Sequence, residues 1–246
     1  MSSEYINGMH SVKTVLQMDG ASVKKILLNK KKIGRMVDSI VSVAKKSGVS
    51  CEYVDCEQLD KICPESNHQG VVAVVSSVAV GSEADLLAFV RSAKRPPFLL
   101  FLDGVQDPHN LGACLRSANA AGVDGVVVPK DNATGLTPVV HKVSTGASRV
   151  TPFYQVTNFA RAIKSLKEEG VWFIGAAGES EQNYLQVDYK GSVAIVMGSE
   201  GDGLRRLTRE HCDFLVKIPM VGHVESLNVS VATGVMLFEA LRQRSL

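Results

Sequence analysis

Aromatic residues are scarce in this chain: 6% of 246 residues, with a single tryptophan, Trp172. Stacking between rings is therefore a poor principal device for holding a ligand. Neither sign of charge dominates. The 27 Lys and Arg face 25 Asp and Glu, a net of +2, so bulk charge names no partner. The five cysteines, Cys51, Cys56, Cys63, Cys114 and Cys212, form no C-x-x-C pair. Their odd number argues against a closed disulfide framework and for a reducing compartment, here taken as the cytoplasm. Their spacing does not fit the common zinc patterns, and no metal is expected. No apolar run approaches the ~20 residues of a membrane span. "MSSEYINGMH" lacks the basic start and apolar stretch of a secretory leader.

What is present is the composition of a globular protein: 45% hydrophobic and 21% charged residues. A chain of 246 residues can bury a core without disulfides or metals. The first third alternates short helical and strand patterns, ending in the β-branched run Val71 to Val75. We expect a small α/β domain over 1–76. A connection over 77–97 contains a short helix, Glu83–Val90, and ends in "RSAKRPP", whose prolines forbid helix continuation. From 98 to 246, apolar strands alternate with helices. That pattern predicts a parallel sheet covered on both faces. Ligands of such sheets bind beyond the carboxyl ends of the strands.

Three strand ends gather polar residues. "FLLFLDGVQDPHNLGACLRSA" runs a buried strand into Asp107-Pro108-His109-Asn110 and a helix. Asp107 or Asn110 suits a plain N-cap, but a cap does not account for Arg116, one and a half turns inside the helix. "VAIVMGSEGDGLRRL" ends a strand in Gly198-Ser199-Glu200-Gly201-Asp202-Gly203. Its G-x-x-G-x-G order is not the dinucleotide fingerprint, and no G-K-[ST] follows. A nicotinamide-dependent oxidoreductase is thereby disfavoured. "KIPMVGHVESLNVSVATG" places Ser226 and Asn228 before the last helix, where either suits an N-cap. The repetition suggests one shared site at the carboxyl edge of the sheet. No G-x-S-x-G elbow marks a serine nucleophile. His109, His141, His211 and His223 lack ligand spacing. Lys24, Lys25, Lys30, Lys31, Lys32 and Arg35 form a basic cluster with no acidic residue between them. It reads either as a solvated face or as a phosphate-binding one.

"DPHNLGACLRSANAAGVDGVVVPKD", "VMGSEGDGLRRLTREHCD" and "IPMVGHVESLNVSVATGVMLFEALRQR" resemble, in order and spacing, the three motifs of the SpoU (TrmH-type) RNA 2′-O-ribose methyltransferases of the SPOUT superfamily. The resemblance spans 98–246. "NGMHSV" and "SNHQGVVAVV" resemble the small L30-like substrate domain that precedes some members. The layout is that of members methylating a guanosine ribose in 23S rRNA. One position departs: the family has an aromatic before the glycine of "NGMH", where this chain has Asn7.

The resemblance implies a C-terminal trefoil knot, a homodimer with the active site at its interface, and S-adenosylmethionine as cofactor. It makes Arg116, Asn110, Glu200, Ser226 and Asn228 the catalytic set. Arg116 would hold the phosphate beside the target ribose, and Glu200 would orient Asn110 or Arg116. The cofactor would lie against Met197, Gly198, Ile218, Pro219, Met220 and Leu227, with Thr145, Gly146 and Ala147 nearby. The basic cluster would grip structured RNA, either 23S rRNA or a large-subunit assembly intermediate. A tRNA ribose methyltransferase and a non-catalytic RNA-binding or assembly factor on the same fold are the alternatives.

Overall fold

The computed structural model describes residues 3–64 and 67–245, and the chain divides into two compact units after Ala79. The first contains β1 (Ser3–Asn7), α1 (Met9–Asp19), β2 (Val23–Asn29), α2 (Arg35–Lys46), β3 (Ser50–Val54), α3 (Cys56–Ile62) and β4 (Val71–Ser76). Its sheet has the order β1-β4-β2-β3. β4 runs antiparallel to both neighbours, and β2 pairs parallel with β3. Helices α1 and α2 bury Val12, Val15, Leu16, Val37, Ile40 and Ala44 on one face. Leu59 of α3 packs with Val72 and Val74 on the other. β1 has no counterpart in the sequence reading. Its five residues mix polar and apolar types, and pairing with β4 rather than local pattern makes it a strand.

The second unit contains β5 (Val80–Gly81), α4 (Glu83–Ser92), β6 (Phe98–Asp103), α5 (Pro108–Ala120), β7 (Gly125–Pro129), α6 (Pro138–Val143), α7 (Ala147–Val150), β8 (Phe153–Val156), α8 (Phe159–Glu168), β9 (Trp172–Ala176), β10 (Val193–Gly198), α9 (Arg206–His211), β11 (Phe214–Val216) and α10 (Val229–Arg244). The strands form one seven-stranded sheet, β11-β9-β10-β6-β7-β8-β5, in which every pair is parallel. Alternation along β6 divides the core. Phe98, Leu100 and Leu102 face α5 and α10, whereas Leu99 and Phe101 pack with residues of α4 and α8. An all-parallel sheet buried on both faces is what continuous apolar strands require.

Most of the expected connection, 77–97, belongs to this unit. β5 pairs with β8, and α4 packs on β8 and α8. The reason is steric. A side chain at Gly81 or Gly125 would meet the Tyr154 ring at 2.5 and 2.8 Å, so the ring of β8 lies across two bare backbones on the flanking strands. α9 begins only at Arg206, because residues 199–203 form a hairpin, and β11 stops at Val216. Cys114 is buried against α10, donates to the Thr233 hydroxyl, and has its thiol pushed up to about 11 by burial. It is a neutral packing residue. Among the described residues, no helix is long and apolar enough to cross a membrane.

Candidate active site at the carboxyl edge of the sheet

Three neighbouring strand ends supply the site. After β6, Asp107 accepts from the His109 amide at 2.9 Å, and Pro108 takes the first helical position. Asp107 therefore caps α5, and Asn110 is free to point elsewhere. After β10, the chain folds into a small hairpin: the Ser199 amide donates to the Gly203 carbonyl at 3.0 Å, and the Gly203 amide returns a bond to Ser199 at 3.2 Å. Gly201 and Gly203 have φ of +98° and +66°. Those values suit glycine, and they place Glu200 at the hairpin tip. After β11, the chain runs through exposed residues to Asn228, whose Oδ1 caps α10 by accepting from the Ser230 amide at 2.9 Å.

Asn110, Glu200 and Asn228 close a ring. Asn110 Nδ2 donates to Glu200 Oε2 at 3.0 Å. Asn228 Nδ2 donates to Glu200 Oε1 at 3.1 Å and to Asn110 Oδ1 at 3.0 Å. Each amide orientation is fixed by what it meets. A carboxylate accepts only, so both Nδ2 groups must turn to Glu200. Asn228 Oδ1 is then left for the cap. Asn110 is buried, and Asn228 is exposed. The ring thus presents polar groups from a rigid base.

Arg116 lies outside this ring. It stands six positions after Asn110 on the helix, about 9 Å along the axis and about 120° around it. It is exposed and makes no hydrogen bond or ion pair among the described residues. On α5 it shares a face with Gly112, where a Cβ would meet Val143 at 2.7 Å, and with Asn119, which bonds Thr151 at 3.1 Å. The α6–α7 elbow, with Thr145, Gly146 and Ala147, therefore runs along the Arg116 side of α5. Thr145 and Gly146 hold φ of +50° and +94°. A β-branched residue at that φ is strained, as functional loops often are.

The residues expected around a cofactor fall into two groups. Met197 and Gly198 are buried, Ile218 packs at the margin of the core, and Pro219 and Met220 are exposed. Gly198 is glycine for a reason the sequence did not reveal. A Cβ there would lie 2.1 Å from the backbone of Gly203, so the hairpin itself occupies the space. Among the described residues, 218–227 make no backbone–backbone hydrogen bond. Their amides and carbonyls are available to the donor and acceptor edge of a flat base. The carboxylate of Glu200 nearby disfavours a phosphate and tolerates a cation. This donor set fits S-adenosylmethionine. Ser226 is exposed and Leu227 half-buried, both on the same segment.

The basic cluster separates into paired and unpaired members. Lys25 bridges Glu52 at 2.9 Å, and Lys30 bridges Asp55 at 3.2 Å. Lys31, Lys32 and Arg35 are exposed and have no ion pair among the described residues. They surround Ile33, which is 88% exposed. Lys24 lies on β2, away from this loop. Cys56, Asp60 and His68 bring possible ligand atoms within 4.8 Å of one another. His68 Nδ1 accepts from the Gly70 amide at 2.9 Å, so Nε2 carries the proton and donates to Asp60. A histidine ligand would need that nitrogen bare and the other protonated. The ring holds a turn, not a metal.

The SpoU rRNA Methylase family matches residues 97–238, and the family described as RNA 2′-O ribose methyltransferase substrate binding matches residues 5–79. A Pseudomonas putida protein, 23S rRNA (guanosine-2′-O-)-methyltransferase RlmB, is 49% identical over 241 residues, 98% of this chain and 97% of its own length. Among solved structures, the SpoU methyltransferase AviRb from Streptomyces viridochromogenes with AdoMet has a TM-score of 0.79 at 22% identity, covering 99% of this chain and 91% of that one. The AdoMet-bound rRNA methyltransferase from Sinorhizobium meliloti has a TM-score of 0.74 at 25% identity, covering 98% and 87%.

Proposed function

Because this chain belongs to the SpoU rRNA Methylase family, we propose that it methylates the ribose 2′-hydroxyl of a guanosine in 23S rRNA, with S-adenosylmethionine as donor. The observation that carries this reading is the closed Asn110–Glu200–Asn228 ring at the carboxyl edge of a parallel sheet. It is joined by near-complete coverage of a relative named for that reaction. One carboxylate that orients two asparagine amides is what positioning a reacting group requires, and binding alone has no use for it.

S-adenosylmethionine supplies a methyl group on a sulfonium, which departs as a neutral thioether when the carbon–sulfur bond breaks. The protein has to align a weak nucleophile and accommodate its proton. Arg116 offers a planar fork of N–H donors and no acceptor. It clamps the phosphate next to the target ribose and so orients the hydroxyl. A phosphate oxygen held there takes the proton. Asn110, on its rigid ring, sets the ribose position. Glu200 fixes both asparagine amides and favours positive charge at the reacting centre. Ser226 extends the polar wall, and the open backbone of 218–227 holds the adenine edge. Thr145, Gly146 and Ala147 shape the side nearest Arg116.

Arg116 and the ring diverge on one helix, so a complete site draws on two copies. Val231 and Phe238, seven residues apart on one side of α10, are 52% and 49% exposed. Val221 and Val224 on the preceding loop are 98% and 63% exposed. An apolar surface of this kind suits a two-fold pairing. The C-terminal trefoil knot belongs to the same proposal, supported by the strand order and the close seating of Gly203 on Gly198. Its setting is the cytoplasm, where rRNA is modified.

The test is transfer of radiolabelled methyl to protein-free 23S rRNA, 16S rRNA, bulk tRNA and large-subunit assembly intermediates, followed by mapping of the labelled nucleotide. Label on a 23S guanosine ribose, free or in an intermediate, is expected; label on tRNA alone would overturn the substrate. The first unit contributes phosphate contacts through Lys31, Lys32 and Arg35. Replacing all three by Ala should weaken rRNA binding and reduce the salt dependence, with the log–log slope falling by about 2. Cofactor binding, followed by calorimetry, should not change.

A further inference from the structure

The hairpin that carries Glu200 is held by a residue outside the catalytic set. Asp103 ends β6, opposite Gly198 in the sheet register, and is fully buried. Its Oδ2 accepts from the Arg205 amide at 3.0 Å, where the chain leaves the hairpin. Its Oδ1 has no hydrogen-bond partner, and the Arg205 Nη1 stands 3.6 Å away. A Cβ on Gly104 would lie 3.1 Å from Arg205 Nη2, and that nitrogen donates to the Asn132 carbonyl at 3.4 Å. One guanidinium therefore reaches the loops after β6 and β7 while its backbone ends the hairpin after β10.

A cap alone does not require a charge. Asparagine accepts an amide bond equally well, and burying a carboxylate in an otherwise apolar strand end is costly. The charge has a use only if it fixes where Arg205, and with it the hairpin, sits. The hairpin is seated at its entrance by Gly198 and at its exit by Asp103. Its tip touches the rest of the protein through the bonds of Glu200 to Asn110 and Asn228. A small displacement at the exit is transmitted directly to that ring.

We propose that Asp103 is a positioning residue for methyl transfer, acting through Arg205 to fix the Glu200 hairpin. The proposal rests on the methyltransferase reading. Its test uses the full chain, with kcat and KM measured for labelled methyl transfer to rRNA and cofactor affinity measured by calorimetry. Asp103→Asn should lower kcat about 10-fold, with both KM values within about twofold of wild type, because transition-state alignment alone is lost. Arg205→Ala should lose at least as much, and Arg205→Lys should recover part of it. The double variant Asp103→Asn/Arg205→Ala should be no worse than Arg205→Ala, since the two residues act as one unit. Wild-type kcat in Asp103→Asn, a loss confined to KM, or losses that multiply in the double variant would overturn the proposal. An inactive wild-type protein would instead overturn the methyltransferase reading. The positioning claim would then be decided by the side-chain amide NMR signals of Asn110 and Asn228, which must shift in Asp103→Asn if the hairpin moves and stay in place if it does not.

Discussion

Arg116→Ala should abolish nearly all turnover while leaving the cofactor bound. Its guanidinium is exposed and makes no hydrogen bond or ion pair within its own chain among the described residues, so its removal should cost the fold little. The expected loss in kcat is about 10²–10³-fold, the range for removing one preorganised charge-stabilising group. Cofactor affinity by calorimetry should stay within about twofold. Arg116→Lys should not restore the rate, because a point charge does not reproduce a bidentate grip on phosphate. The same variant tests the two-copy site. Coexpressed with Asn110→Ala, which spoils the other half, it should recover about a quarter of wild-type activity, since half the dimers are mixed and each mixed dimer has one intact site. No recovery would put Arg116 and Asn110 at work within one chain.

Glu200→Gln should be nearly as damaging, for a different reason. Both carboxylate oxygens accept from asparagine amides. A glutamine offers one acceptor and one donor, so one asparagine would face a donor with its own donor. The ring opens, and the negative charge facing a cationic methyl donor is lost. We expect a fall in kcat of about 10²-fold with a smaller loss of cofactor affinity. Single-turnover methyl transfer separates the two. A variant with wild-type single-turnover rate would remove Glu200 from the chemical step. Glu200→Asp keeps both acceptors on a shorter stem and should fall between the two.

The sheet was legible wherever a strand is apolar throughout. Phe98–Leu102 and Val193–Met197 announce buried parallel strands, and the turn residues after them mark the edge where ligands bind. The strands that were not legible are short or mixed. β1 and β5 are strands because of what they pair with, and β8 has four residues after Pro152. The three polar strand ends were visible one by one. Their closure into a ring was not, because the partners lie 90 and 118 residues apart. Distance in sequence also hid the neutralisation of Lys25 and Lys30 by Glu52 and Asp55 on and after the adjacent strand. Arg116 was legible as unusual, and its separation from Asn110 follows from helical geometry alone. Asp103 was visible as the acid ending an apolar strand, but its partner Arg205 lies 102 residues further on.

The Tyr154 ring, spread over Gly81 and Gly125, fixes where this protein can be cut. The catalytic family match begins at residue 97, and a truncation there is the natural choice for isolating that half. Such a piece would lose β5 and α4, baring the hydrogen-bonding rim of β8 and one side of an aromatic ring. Uncovered rims of this kind recruit other chains and drive aggregation. The durable cut precedes Val80, so the enzyme half carries with it a segment that looks, by composition, like tether.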